Sequence, residues 1–232
     1  MRVEDKTSLY LMEKYQEIRL YKKNKQDPRT IADVDFYYDI GHAQGAFVKK
    51  DGQFYLLIMG SNEWKDWFYN FWFFAKKVKP YNVTSNVKVH SGFYKSYLYI
   101  RDLVHLYIKS NDVKSIIVMG QSHGAAVTVL ASLDIKYNFQ DIDIAAVLTG
   151  CPRTGNDDFA KSYENRIDHV YRFKYGCDLI TKLPPKFFGF ADVGPEMHVG
   201  PKDTIWRNLT IIKPILDHML AHGMIKEFKK RI

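Results

Sequence analysis

Apolar residues recur along this chain with two different periods, and the change from one to the other marks its elements. Over residues 5 to 25, Leu11, Tyr15 and Ile18 fall at helical spacing with charged residues between them, which predicts an amphipathic helix packed on the main body. Ala43 to Val48 and Phe54 to Ile58 are apolar runs on either side of Asp51-Gly52, the pattern of a hairpin. Residues 92 to 109 predict a second helix. An apolar strand opening at Ser115 then runs into glycine and a further helix. It is followed by a strand at Ile144 to Leu148, a short helix near 156 to 164 and a strand from His169 to Phe173. Two short strands are expected around 197 to 206, and the tail from Pro214 reads as helical from about Asp217. Strands alternating with helices imply an α/β protein with a largely parallel central sheet. No repeat, low-complexity tract or linker interrupts the order, so 1–232 is read as one domain with a helical N-terminal extension over 1–40.

The candidate chemistry lies in the middle of this pattern. Ser115-Ile116-Ile117-Val118-Met119-Gly120-Gln121-Ser122-His123-Gly124-Ala125-Ala126 is an apolar strand, a G-x-S-x-G turn and the start of a helix. That is the context of a nucleophile elbow, whose glycines leave room for a sharp turn that projects the serine hydroxyl from the sheet. A serine hydroxyl is a poor nucleophile until a histidine takes its proton, and the imidazole works best when a carboxylate holds its tautomer. On an elbow scaffold the chain order is serine, acid, histidine. Asp178 fits the acid: it follows the strand His169 to Tyr175 and a Gly176-Cys177 turn, and precedes a segment ended by Pro184-Pro185. Three histidines, His198, His218 and His222, lie downstream of it. Pattern favours His218 slightly, since His198 falls in a strand-like stretch and His222 lies one helical turn beyond His218.

Composition narrows the setting. The 232 residues are 46% hydrophobic and 26% charged, as in a globular protein with a well-buried core. No apolar run is long enough to span a bilayer, and the charged start Met1-Arg2-Val3-Glu4-Asp5-Lys6 does not begin a signal peptide. A cytoplasmic location is therefore expected unless a leader was removed. The net charge of +8 is spread along the chain, with modest clusters at Lys22 to Lys25 and Lys226 to Arg231. With no nucleic-acid motif beside them, these read as solvated basic surface and not as a nucleic-acid site. The two cysteines, Cys151 and Cys177, form no disulfide framework, and reduced buried thiols are expected.

Several of these segments together resemble the class 3, or fungal-type, lipases of the α/β-hydrolase superfamily. Ile58-Met59-Gly60-Ser61 is similar to that family's oxyanion loop, Val89-His90-Ser91-Gly92-Phe93 to its H-x-G-F segment, and Gly120 to Gly124 to its elbow. Gly150-Cys151-Pro152-Arg153-Thr154-Gly155-Asn156 resembles G-x-P-R-V-G-N, Asp178 to Pro185 resembles D-x-V-x-x-L-P-P, and Asp217 to Gly223 resembles the segment that holds the family's histidine. The resemblance covers roughly residues 40 to 228 and implies the α/β-hydrolase fold, a Ser122–His218–Asp178 triad, and an oxyanion hole from the backbone amides of Ser61 and His123. It implies neither metal nor organic cofactor. Two positions depart from it: Met59 and His123 stand where the family often has arginine and leucine.

The stretch Asn62 to Lys77, the most aromatic in the chain, occupies the place of the family's lid. Trp64, Trp67 and Phe68 are the expected contacts to acyl chain or lipid surface, against the competing expectation that the same rings pack the core. The substrate expected from the resemblance is a lipid carboxylic ester of the triacylglycerol type. Phospholipase A1 activity, a short-chain or feruloyl-esterase-like specificity, and a non-catalytic lipid binder on the same scaffold are the alternatives.

Overall fold

The computed structural model describes residues 2–41, 43–60, 77–78, 86–201 and 221–232, and the following concerns those residues. Helix α1 (Asp5–Lys23) buries Leu11, Met12, Tyr15 and Ile18 on one face. Strand β1 (Val34–Ile40) pairs antiparallel with β2 (Ala43–Lys50), which pairs antiparallel with β3 (Gln53–Gly60). The β2–β3 turn places Asp51 at φ 50° and Gly52 at φ 79°, the two-residue geometry that matches strand twist. A two-stranded ribbon joins β4 (Lys77–Val78) to β5 (Val89–His90), and α2 (Ser91–Ser110) follows. Then come β6 (Ser115–Gln121), α3 (His123–Asn138), β7 (Asp143–Thr149), α4 (Asp157–Glu164), β8 (His169–Tyr175), β9 (Glu196–Val199) and α5 (Ala221–Lys229).

The seven-stranded sheet runs β1-β2-β3-β6-β7-β8-β9, with every pairing from β3 onward parallel. Successive residues of the central strands feed opposite cores. Leu56, Ile58, Ile116, Val118, Ile144, Ala146 and Leu148 pack on one side with Phe93, Tyr97, Val104 and Val127 of α2 and α3. Leu57, Met59, Ile117, Met119, Ala145 and Val147 pack on the other with Leu11, Tyr15 and Ile18 of α1 and with Met224 and Phe228 of α5. Burial on both faces is why these strands read as continuous apolar runs. Among the described residues no helix is long and apolar enough to cross a membrane.

The N-terminal region departs from expectation. It is helical over Asp5–Lys23, but Val34–Ile40 is an edge strand and not part of a helical extension. In β1 only Tyr38 is buried, while Phe36 and Ile40 are exposed, so no apolar alternation announced it. Its place is set by main-chain pairing with β2. Of the two short strands expected around 197 to 206, β9 forms at Glu196–Val199, and residues 202–206 lie outside the described residues, as does the part of the tail before Ala221.

Candidate active site

Ser122 stands between β6 and α3 at φ 57° and ψ −125°. A side chain at positive φ costs on the order of 1–3 kcal/mol and persists only where its surroundings over-determine it. Here the Ser122 N–H donates to the Thr149 carbonyl at the end of β7 (2.9 Å), and the Ser122 carbonyl accepts from the N–H groups of Ala125 (3.0 Å) and Ala126 (3.2 Å). The flanking glycines are needed for close approach. A Cβ at Gly120 would lie 2.3 Å from the Gly124 carbonyl oxygen, and one at Gly124 would lie 2.2 Å from the Ile58 carbonyl oxygen. The first turn of α3 is thus pressed onto β3 and β6, and the serine sits at the C-terminal edge of the parallel strands.

Asp178 reaches the same edge from β8, two strands along. It is 2% exposed, and its Oδ1 accepts from the Ile180 N–H (2.9 Å), while its own carbonyl accepts from Thr181 Oγ1 (2.9 Å). The local turn therefore helps to orient the carboxyl group. The chain beyond is tied down by Arg153 on the loop after β7. The Arg153 N–H donates to the Leu183 carbonyl (2.7 Å), Nη1 donates to the carbonyls of Lys182 and Pro184, and Nε donates to Asp192 Oδ1 (3.0 Å). Arg153 lay in a recognisable motif, but its clamping role depends on two loops meeting in space.

His123, the first residue of α3, is buried, and its Nε2 lies 3.0 Å from Ser96 Oγ on α2. Its ring also meets Phe93, with centroids 5.6 Å apart. Sequence reading assigned Ser96 no part; the available signal was a polar residue on the apolar stripe Phe93, Tyr97, Ile100 and Val104. Nearby, His90 caps α2 by accepting from the Gly92 N–H at Nδ1 (3.1 Å), and burial pushes its pKa down to about 4, so it is neutral at pH 7. Burial likewise pushes the Cys151 thiol up to about 12, and both Cys151 and Cys177 are buried and outside any disulfide.

Of the other expected site residues, Ser61, Trp64, Trp67, Phe68 and His218 lie outside the described residues, as does the candidate lid over 62–76. Lys77, the last residue of that candidate lid, belongs to β4. The alternative histidine His198 is on β9 with Nε2 3.1 Å from the Gly176 carbonyl oxygen, and His222 lies in α5. Among the described residues no three His, Cys, Asp or Glu side chains converge as metal ligands.

A mostly parallel sheet between two helical layers, with a serine at the tip of a strand-to-helix turn after a central strand, defines an α/β-hydrolase fold. The solved structure of the triacylglyceride lipase of Rhizomucor miehei shares it, with a TM-score of 0.75 at 20% identity over 93% of this chain and 92% of that one. A sequence model of the family Lipase (class 3) matches residues 55–188, and the chain belongs to that family. Among curated relatives, a secreted mono- and diacylglycerol lipase of Malassezia restricta is 32% identical over 136 residues, 56% of this chain and 44% of that protein. A phospholipase A1 of Arabidopsis thaliana is 38% identical over 104 residues, 42% of this chain and 24% of its own length. The chain thus spans less than half the length of these curated relatives.

Proposed function

We propose that the chain hydrolyses carboxylic esters of lipids, of the acylglycerol type, through an acyl-enzyme on Ser122. The observation that carries this reading is the strained Ser122 backbone, φ 57° and ψ −125°, at the strand-to-helix turn of a class 3 lipase sequence. In the proposed reaction Ser122 attacks the ester carbonyl as His218 accepts its proton, and Asp178 holds the imidazole in the tautomer that can do so. The backbone N–H groups of Ser61 and His123 receive the developing oxyanion. His218 then protonates the leaving alcohol, and water activated by the same histidine releases the fatty acid. Trp64, Trp67 and Phe68 are assigned to the acyl chain or lipid surface.

The names of relatives support the substrate class and offer a second reading. The Malassezia protein is a mono- and diacylglycerol lipase, whereas the Arabidopsis protein, with higher identity over a shorter match, is a phospholipase A1. The Malassezia relative is also named as secreted, so the cytoplasmic location expected from the charged N-terminus has no support there, and export is the reading proposed.

The test is hydrolysis of p-nitrophenyl esters from acetate to palmitate by the wild-type chain and by Ser122→Ala. Loss on the order of 10⁶ in turnover is expected if the triad acts as a unit. Serine-dependent activity on long chains supports a lipase, and activity confined to short chains replaces it with a simple esterase. No serine-dependent turnover would overturn the proposal. Diacylglycerol emulsions against phospholipid vesicles separate the two lipid substrates.

A further inference from the structure

We infer that the buried hydrogen bond between His123 and Ser96 positions the His123 backbone amide for the oxyanion, making both side chains positioning residues for the reaction. The inference rests on the esterase reading above. His123 and Ser96 are 8% and 5% exposed, on two different helices, where the surrounding positions Phe93, Tyr97 and Ala125 are apolar. Burying a polar side chain is unfavourable unless it is hydrogen-bonded, and His123 Nε2 and Ser96 Oγ meet across 3.0 Å.

The location gives the pair its consequence. The amide of His123 belongs to the first turn of α3, where no intrahelical carbonyl lies behind it and the N–H points out of the helix end. Its direction follows the Ser122–His123 peptide plane, whose carbonyl accepts from the N–H groups of Ala125 and Ala126. The imidazole adds a restraint on the His123 side: it is tied to α2 at Ser96, lies against Phe93, and crowds the end of β3, where a Cβ on Gly60 would be 3.2 Å from the His123 Cβ. One side chain therefore links the residue after the serine, the helix α2 and the strand that leads into Ser61. Leucine, which the related family often carries here, fills comparable space but offers Ser96 no partner.

The experiment compares kcat and KM for soluble p-nitrophenyl butyrate in the wild type, S96A, H123L, the S96A/H123L double variant and H123Q. Deleting an oxyanion donor lowers kcat by about 10²–10³, so misaiming one should lower it by about tenfold with KM within about twofold. The double variant should be no slower than H123L alone, because both changes remove the same bond. H123Q, whose amide reaches Ser96, should recover most of kcat, which a purely space-filling role would not predict. Wild-type kcat in S96A, additive losses, a change confined to KM, or no recovery in H123Q would overturn the positioning role. S96A carries the test if H123L fails to fold. Absence of Ser122-dependent turnover in the wild type is a distinct result: it overturns the esterase reading, and this inference with it.

Discussion

Replacing Gly124 with alanine sets two effects of opposite sign against each other. Gly124 lies in the first turn of α3, and helix propensity alone would favour alanine by about 1 kcal/mol. Against this, the new Cβ would lie 2.2 Å from the Ile58 carbonyl oxygen, 3.0 Å from the Ile58 carbonyl carbon and 3.2 Å from the Gly60 nitrogen. Ordinary contact begins near 3.4 Å, so the methyl group intrudes on main chain by about 1.2 Å. The strand has little freedom to yield, since Ile58 is registered against Gly45 on β2 and Gly120 on β6. Overpacking of this kind reaches about 3 kcal/mol, which exceeds the propensity gain and leaves a net loss of about 2 kcal/mol. For a protein of this size that corresponds to a fall in Tm of about 4–8 °C. Because the displaced strand end leads into Ser61, kcat should fall as well, by on the order of 10²-fold. Thermal denaturation and p-nitrophenyl butyrate hydrolysis read the two effects separately. A variant that melts at or above the wild-type temperature with unchanged kcat would refute the close-packing argument.

Two further predictions concern groups away from the serine turn. Asp134 is a buried carboxylate between α2 and α3 that accepts from Tyr97 Oη (2.7 Å), Arg101 Nε (3.2 Å) and Asn138 Nδ2 (3.0 Å) and lies 2.6 Å from His105 Nε2. Asp134→Ala removes this shared acceptor and is expected to lower unfolding free energy by about 3 kcal/mol, read from urea midpoints; a loss under about 1 kcal/mol would show the network to be dispensable. His90 is neutral in the fold, with a pKa near 4 against 6.5 for the free side chain, so the unfolded chain binds the extra proton first. The stability it contributes is complete above pH 6.5 and declines as pH falls toward 4, by about 2 kcal/mol between pH 7 and pH 5. His90→Asn, which keeps an acceptor at the cap of α2, should flatten that slope, and an unchanged slope would assign the acid sensitivity to other groups.

How much was legible in the chain depended on whether the information was local. Helix α1, the β2–β3 hairpin and the strands β6 to β8 were readable because burial of both sheet faces writes apolar runs directly into the residues. The edge strand β1 was not readable, because only one of its side chains is buried and the partner that makes it a strand is β2. The serine turn was readable for a different reason: the requirement for glycine at 120 and 124 is steric and appears as residue type. The chain could not say why those glycines are required, because the atoms that exclude a side chain belong to Ile58 and to the opposite end of the same turn.

By itself, then, the amino-acid sequence determined the α/β alternation and the position of the serine turn, each recorded in neighbouring residues and their spacing. Tertiary structure alone decided the clamping of the Asp178 loop by Arg153 and the pairing of Ser96 with His123. The physical reason is the same in both cases. A buried polar group must find a partner, but the partner lies 27 or more positions away and is selected by how helices and loops pack at the sheet edge, which no local pattern encodes.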